Sequence, residues 1–584
     1  MKVQISRSKN SESLYIAQSI RIGKKTTTKN YKKLGTIEEV RVLAGDMDPY
    51  EWAKQQAAYY TELENQNKKQ IELSLSNHTL VKKGSQRQYN VGYLFLKKLY
   101  YELHLDKLCK SISDKYKFKY DLNAILSALI YARIIYPSSK LSTFESCQKL
   151  LEQQNFDLHH IYRALEVLAK ESADIQTHLY KHSQKVVPRN TKVLYYDCTN
   201  FYFEINEAED DKQYGIAKQY KPNPIVQMGL FLDGNGIPLA FNITPGNRNE
   251  QITLQPLEKQ ILKDFELSEV IVCTDAGLSS TSNRKFNDMG SRSYITVQSL
   301  KKTKDYIRQW ALDTTGWSLQ GTDKLIDIST ITLENNYATY YKERIVKENG
   351  LDERLIVTFS PKYKLYQQKI RDAQIERAIK KINSGEKKRK AKNPNDPQRF
   401  ILERSFTDYG EVSSNTSLTL DHERIQYERQ FDGFYSVITN LDADSEYGSI
   451  NEILRINRQR WEIEETFLIM KSEFKSRPVY LKNRDRIHAH FLTCFLATSI
   501  FRILEQRIDY SASAQKLIQS LKDMNVLSLH GYGFIPTFTR SDFTDLLQNS
   551  FNMQFSTEII DRDLMKKNKK ISKQRNITTF GTHF

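Results

Sequence analysis

Asn457, Arg460, Glu464 and Lys471 follow one another at intervals of three, four and seven positions in the stretch NRQRWEIEETFLIMK. Good helix formers fill that stretch and no Gly or Pro interrupts it, so it predicts one helix. At about 100° per residue the four polar residues share a stripe roughly 60° wide. Ile463, Phe467, Met470 and Phe474 form an apolar stripe beside it, while Glu462 and Glu465 project elsewhere. The helix is therefore expected to dock by its apolar stripe and hold one carboxylate, Glu464, between two cations. Taken alone, the same pattern describes a solvated face with ordinary ion pairs.

Two aspartates upstream add weight to the chemical reading. Asp197 sits inside the strand-like LYYDCTN, and Asp275 ends the strand-like VIVCTD. Asp is depleted in strands, and a charge at a core strand end is costly unless paired or metal-bound. Each also has a local reading, Asp275 in a turn and Asp197 capping a loop. If the two strands are parallel neighbours, both carboxylates lie at one end of a sheet, and the Glu464 helix closes the site from one face. Three convergent carboxylates suit two hard cations, magnesium or manganese. Such a pair, about 3.5–4 Å apart, activates water or a 3′-hydroxyl for in-line phosphoryl displacement. Arg460 and Lys471 would then meet phosphates flanking the scissile bond, with Asn457 a candidate third contact on their stripe. A glycosidase also uses paired carboxylates but needs neither the cations nor the basic balance. There is no HExxH, no GxSxG elbow and no GxxxxGK[ST] loop.

The elements that must position these residues follow from pattern. At 584 residues the chain has room for three or four domains. Lys and Arg outnumber Asp and Glu by 87 to 70, and the resulting +17 favours nucleic acid as partner before a membrane. Five scattered cysteines with no CxxC pair argue against a disulfide framework or zinc site. With no signal-peptide core and only short apolar runs at 124–135 and 491–500, a cytoplasmic protein is expected.

Residues 1–90 read as a basic three-stranded region followed by a polar helix from 49, with possible DNA contact through the hairpin. Residues 91–187 are helical in pattern. From 188 to 290 the order β-β-β-α-β, with the turn Asp233-Gly234-Asn235-Gly236, predicts a mixed sheet whose first and fourth strands are parallel neighbours. Residues 291–445 read as an inserted, largely β domain whose basic run 387–392 is a solvated loop or a DNA contact. Residues 446–510 return to the core with the glutamate helix and the core helix HAHFLTCFLATSIFRILEQRI. The region 511–584 is mixed and ends in a basic tail, MKKNKKISKQRN, expected to be mobile.

With these residues in place, the sequence resembles the bacterial insertion-sequence transposases of the DDE type. It resembles in particular the group with a Tyr-x2-Arg-x3-Glu-x6-Lys signature on the catalytic-glutamate helix. Arg460, Glu464 and Lys471 match that spacing, and Asn457 stands at the Tyr position. YYDCTNFYFE, PNPIVQMGLFLDGNGIPLAFNITPGNRNE, TDAGLSSTSN and RWEIEETFLIMKSEFKSRPVY carry the likeness over about 195–295 and 450–500. The resemblance implies a ribonuclease-H-like α/β core interrupted by a β-rich insertion, and Asp197, Asp275 and Glu464 as catalytic metal ligands. It further implies two magnesium or manganese ions, cleavage of transposon end repeats, strand transfer into target DNA, and a homodimer on DNA at the bacterial nucleoid. Trp310 and Trp317 lie where some members present a Trp to a flipped base, although packing is the expected role of both. Trp461 is expected to brace the site helix, and Gly246, Asn247 and Glu250 to make a turn and helix start. Two alternatives remain open: a degenerate relative that binds DNA without cutting, and a nuclease of the same core without strand transfer.

Overall fold

Alternating apolar and β-branched residues around Asp197, and buried runs after it, build the sheet that organises the molecule. The structure, a computed structural model, describes residues 1–8, 11–22, 25–68, 77–216, 222–322, 324–385, 388–391, 393, 395–405 and 416–576. It has two compact units, one of Met1–Ser85 with His530–Tyr532 and one of Gln86–Leu529 with Gly533–Phe584.

In the first unit, β1 (Lys2–Ser8), β2 (Ser11–Ile22) and β3 (Lys25–Thr36) form an antiparallel meander in that order. Residues 23 and 24, between β2 and β3, lie outside the described residues. Thr36 and Glu39 form a reciprocal capping box that starts α1 (Ile37–Ala44), and α2 (Pro49–Lys68) follows. Leu14, Val40 and Ala53 are its buried centre.

The second unit begins with β4 (Gln88–Asn90) and six helices, α3 (Tyr93–Glu102), α4 (Leu105–Tyr116), α5 (Leu122–Ile135), α6 (Lys140–Ser146), α7 (Leu158–Lys170) and α8 (Ser172–Val186). The core sheet then takes β5 (Val193–Tyr202), β6 (Ile225–Asp233) and β7 (Pro238–Pro245). After α9 (Leu254–Asp264) come β8 (Ile271–Thr274), α10 (Thr281–Asn287) and β9 (Ser293–Val297). β5, β8 and β9 are parallel neighbours, and β6 and β7 run antiparallel on the β5 side. This is the mixed sheet that the element order predicts.

The segment expected as a separate β insertion differs. α11 (Asp305–Leu312), β10 (Trp317–Leu319), β11 (Leu325–Ile326), β12 (Tyr340–Glu348) and β13 (Leu351–Phe359) come next. α12 (Pro361–Asn383), β14 (Ile401–Ser405), β15 (Thr416–Leu420), α13 (His422–Arg429) and β16 (Phe434–Thr439) complete it. β16 pairs with β9, and β13, β12, β10 and β11 continue outward, so one ten-stranded sheet runs β11-β10-β12-β13-β16-β9-β8-β5-β6-β7. The physical reason is the edge of β9: left bare, its backbone groups would have no partner, and β16 covers them. Only α12, β14, β15 and α13 form a satellite, around Ala378, Phe400, Ile401 and Ile425. Residues 387 and 392 of the basic run lie outside the described residues.

α14 (Ile450–Gln459) and α15 (Trp461–Leu468) lead through a π-helical turn, Ile469–Glu473, to α16 (Arg484–Arg507). α16 is the one helix among the described residues long and apolar enough to cross a membrane, but 94% of its apolar window is buried inside the protein. It packs on α5, α7 and α3 and, through Phe491 and Phe495, on Phe201 and Phe241 of the sheet. α17 (Ala514–Asp523), β17 (Asn525–Leu529), β18 (Gly533–Pro536), α18 (Asp542–Ser550), β19 (Ile560–Asp561) and α19 (Arg562–Ile571) finish the chain. The tail expected to be mobile is instead largely α19, capped by Asp561 and anchored by buried Met565 and Asn568.

Candidate active site

Period-two alternation on β5 sorts its residues onto two faces. Leu194, Tyr196 and Cys198 face a cluster with Leu254 and Leu257 of α9. Tyr195, Asp197, Thr199 and Phe201 face the other way, toward the glutamate segment. Tyr195 Oη donates to Gln459 Oε1 at 3.2 Å, and Lys471 Nζ donates to Thr199 Oγ1. Lys471 also lies over the Phe201 ring, 5.5 Å from its centroid. Asp197 sits between Tyr195 and Thr199 and is therefore bracketed by two contacts to that segment. One of its oxygens, Oδ1, accepts from the Cys198 N–H at 2.7 Å.

Asp275 follows β8 directly. The parallel register pairs Val193 with Ile271, Leu194 with Val272 and Tyr195 with Cys273. Two residues further along each strand direction are Asp197 and Asp275, so the acids stand at matching register positions, Asp275 just past the end of β8 but Asp197 within β5, which runs on to Tyr202 rather than ending there. Asp275 Oδ1 accepts from Gly277 N–H at 2.9 Å, and its carbonyl accepts from Thr296 Oγ1 at 3.2 Å, which fixes the strand-to-loop exit.

The helix predicted as continuous from Asn457 to Lys471 is broken in two places. At Arg460 the ladder tightens, with Arg460 N–H donating to Asn457 O at 3.4 Å and Ile463 N–H to Arg460 O at 3.2 Å. At Ile469–Glu473 it widens into the π turn, closed by Phe474 N–H to Ile469 O at 2.9 Å. These breaks rearrange the stripe. Glu464 remains on it, with its side chain 60% exposed, and accepts from Arg460 Nη1 at 3.2 Å. Glu465 is held away by Arg502 at 2.8 Å, and burial raises Glu462 above the usual carboxylate range. Glu464 is therefore the acid this segment offers to the sheet end.

Arg460 pairs with Glu464. Burial alone would lower its pKa, but Tyr435, Glu464, Cys273 and Asp275 outweigh that and hold it above the usual arginine value. The guanidinium donates to Glu464, and the Asp275 charge adds to the field that raises it. Cys273 and Cys198, flanking the acids on the strands, are thiols pushed up by burial to about 12 and stay protonated packing groups.

Asn457 does not join the cations at the surface. It is 7% exposed, on the buried face of α14 with Ile453 and Ile456, and its Nδ2 donates to Tyr435 Oη at 3.1 Å. A phosphate cannot reach an amide at that depth, so the structure gives Asn457 a packing and positioning place. Tyr435, on β16, is the site residue that sequence reasoning missed. Burial raises its pKa, and contacts to Asn457 and Arg460 oppose the shift. Its strand falls in the presumed insertion, far from the signature, and only the sheet's continuity brings it in. A cavity of about 470 Å³ lined by Ala276 and Tyr435 opens beside Asp275 and runs to Tyr363, Tyr366 and Lys301.

Other residues singled out by sequence fall outside the site. Trp317 is fully buried and donates Nε1–H to Asp313 O at 2.8 Å, as packing requires. Trp310 lies under the Lys342 and Arg344 cations. Trp461, expected to brace the helix, is instead 53% exposed, on the side of the helix away from the apolar stripe. Gly246 makes a turn where no Cβ fits, since one would meet Ile225 O at 2.1 Å, and Asn249 caps the short helix from Glu250.

Asp197, Asp275 and Glu464 are all-oxygen, anionic donors, the kind that hard cations such as magnesium or manganese take. Among the described residues, the one group of ligand atoms lying within 4.8 Å of one another is Asp157, His159 and His160. The three carboxylates are more widely spread, with Glu464 turned onto Arg460.

A family model described as the transposase DDE domain matches residues 188–500. No curated protein matches the chain. Among solved structures, the chain is similar to a piggyBac transposase synaptic complex with hairpin DNA, at 9% identity and a TM-score of 0.35, over 85% of this chain and 90% of that one. It is also similar to a Mos1 transposase paired-end complex with the left transposon end, at 11% identity and a TM-score of 0.13, over 43% of this chain and 69% of that one. The family match spans more than half of the chain and both strands and the helix that carry the acids: the chain belongs to the transposase DDE domain family.

Proposed function

We propose that this protein is a metal-dependent DNA transposase with a ribonuclease-H-like core. In this reading it binds the end repeats of a bacterial insertion sequence, cuts them, and joins them to target DNA. The observation that carries the reading is the parallel register that sets Asp197 of β5 level with Asp275 just past the end of β8, with Glu464 of the neighbouring helical segment paired to Arg460. Two magnesium or manganese ions would be held by Asp197, Asp275 and Glu464, and would supply activation of a water or 3′-hydroxyl and charge neutralisation on the leaving oxygen. The chain's own residues do the positioning. Asp197 and Asp275 are each held by a backbone N–H, Glu464, paired to Arg460 through one oxygen, would complete the set, and Arg460 would meet a phosphate beside the scissile bond. Lys471, held over Phe201, meets a second.

The Arg-Glu-Lys spacing supports membership in the group with the Tyr-Arg-Glu-Lys signature, with Asn457 in place of Tyr. The domain organisation we favour is a basic N-terminal DNA contact at 1–90, a helical domain at 91–187, and a core at 188–290 and 446–510 interrupted by the 291–445 segment. Two copies pairing two DNA ends, at the nucleoid of a bacterial cytoplasm, complete the reading.

The test uses purified protein, a labelled duplex carrying the DNA that flanks its own gene, and magnesium or manganese. Cutting at a flanking repeat is expected from the wild type and absent from Glu464→Gln, Asp197→Ala and Asp275→Ala, each of which still binds the duplex. Wild-type cutting by Asp197→Ala would overturn the assignment. A second reading, a DNA-binding relative that no longer cuts, is favoured by Asn457 at the signature position and by the Glu464–Arg460 pair. Binding without cutting in either metal would establish it.

A further inference from the structure

Downstream of the π turn, residues 475–481 pass over the C-terminal end of α5 and the start of α6, and a cavity of about 500 Å³ lies between them. Arg133, Lys140, Lys475, Arg477 and His490 line it, and no carboxylate does. Lys140 is 5% exposed, and its Nζ is buried with no hydrogen-bond partner. Arg133 is 4% exposed and spends its two Nη groups on carbonyls, Phe474 O at 3.1 Å and Ser138 O at 3.1 Å, leaving Nε buried and unpaired. Arg477, partly exposed, likewise has a buried, unpaired Nη1. His490 uses Nε2 on Ser476 O at 3.1 Å.

Buried cations without partners are strongly unfavourable, and proteins tolerate them where a ligand or counter-charge completes the site. Burial, and then the Arg133 charge, push Lys140 down to about 7, so an anion beside it would restore its charge. A planar guanidinium and an ammonium with free donors match tetrahedral phosphate oxygens. The cavity has room for a phosphodiester with part of its sugar, and its rim carries Tyr480, 68% exposed.

We propose that this cavity is a phosphate-binding site, separate from the Asp197–Asp275–Glu464 centre, in which Lys140, Arg133 and Arg477 hold a phosphate group of a nucleic-acid backbone or of the free ion. Because residues 475–481 continue directly from the turn bearing Lys471, a phosphate held there ties the glutamate segment to the helical region. The site does not depend on DNA cleavage, so its failure and that of the transposase reading are separable.

The test is made on the full chain. Inorganic phosphate is titrated against chloride at constant ionic strength, and the melting temperature is read for wild type, Lys140→Met and Arg477→Gln. The wild type is expected to gain melting temperature with phosphate, Arg477→Gln to gain less, and Lys140→Met to gain nothing. In chloride Lys140→Met should melt at or above wild type, because an unpaired buried cation is gone. Duplex binding against salt separates the sources. A slope of log affinity reduced by about one in Lys140→Met identifies a backbone phosphate; an unchanged slope with a phosphate-dependent melting shift identifies the free ion. No phosphate response in wild type together with an unchanged slope would overturn the proposal. So would a Lys140→Met chain that melts well below wild type in chloride.

Discussion

Asn457 and Tyr435 exchange the places that their positions in the chain suggest. Asn457 shares a stripe with Arg460 and Glu464 by spacing, yet is buried beneath them. Tyr435 has no motif around it, yet its hydroxyl touches Asn457 and adjoins Arg460. A phenolic oxygen from β16 therefore stands next to the position where the signature has a Tyr. Tyr435→Phe keeps the ring and loses that hydroxyl. Its cleavage rate constant should fall on the order of tenfold with duplex affinity unchanged, and Asn457→Ala added to it should cost little more. Full activity in Tyr435→Phe would show the hydroxyl to be a packing detail. Glu258 offers a separate test of the core. Burial pushes its carboxyl up to about 7, and only Asn287 donates to it, at 3.1 Å. A raised acid binds its proton more tightly folded than unfolded, so wild-type stability falls as pH rises from the ordinary carboxylate range to about 7. Glu258→Gln should match wild type at pH 5 and exceed it at pH 8, by at most about 3 kcal/mol in denaturant unfolding. Equal stability at both pH values would remove Glu258 from the account.

At the scale of elements, the strands were legible and the helix breaks were not. The β-β-β-α-β order and the Asp-Gly-Asn-Gly turn predict the parallel β5–β8 pair, and so the matching register of Asp197 and Asp275. The flanking cations and the apolar stripe singled out Glu464, which the structure keeps exposed and paired to Arg460. The break at Arg460 and the π turn were not, because no Gly or Pro marks them. They arise where α14, α15 and α16 must each satisfy the sheet, with Ser476 N–H reaching back to Met470 O at 3.1 Å. An α-helical projection carried across those breaks misplaces Asn457, whereas it already sets Trp461 away from the apolar stripe. α16 is the element that fixes the segment. Phe495 on it is fully buried and meets the Phe241 ring at 5.0 Å between centroids. Phe495→Ala should destabilise the second unit by about 3–5 kcal/mol, read from denaturant midpoints. A loss below 1 kcal/mol would mean that the sheet and the helices are coupled elsewhere.

At the scale of the molecule, the ten-stranded sheet makes the presumed insertion and the core one hydrogen-bonded body. Backbone amides of β12 and β13 should accordingly exchange with solvent at rates close to those of β5 and β8, since both report the same cooperative opening. Exchange in β12 and β13 faster by about a thousandfold would show that the outer strands open on their own. The sequence pattern reads 291–445 as separable because strands in a chain carry no mark of which edge they will join. The order of the strands also bears on a chain still emerging from the ribosome. β9 ends at Val297, but the strand that covers its edge begins only at Phe434, and Glu464 follows later still. At about 5–20 residues per second, the nascent chain holds an open β edge for on the order of ten seconds, with its two aspartates made and its glutamate not yet translated. The candidate acid set is then completed late in synthesis, and protecting that edge is the task the chain hands to whatever meets it during translation.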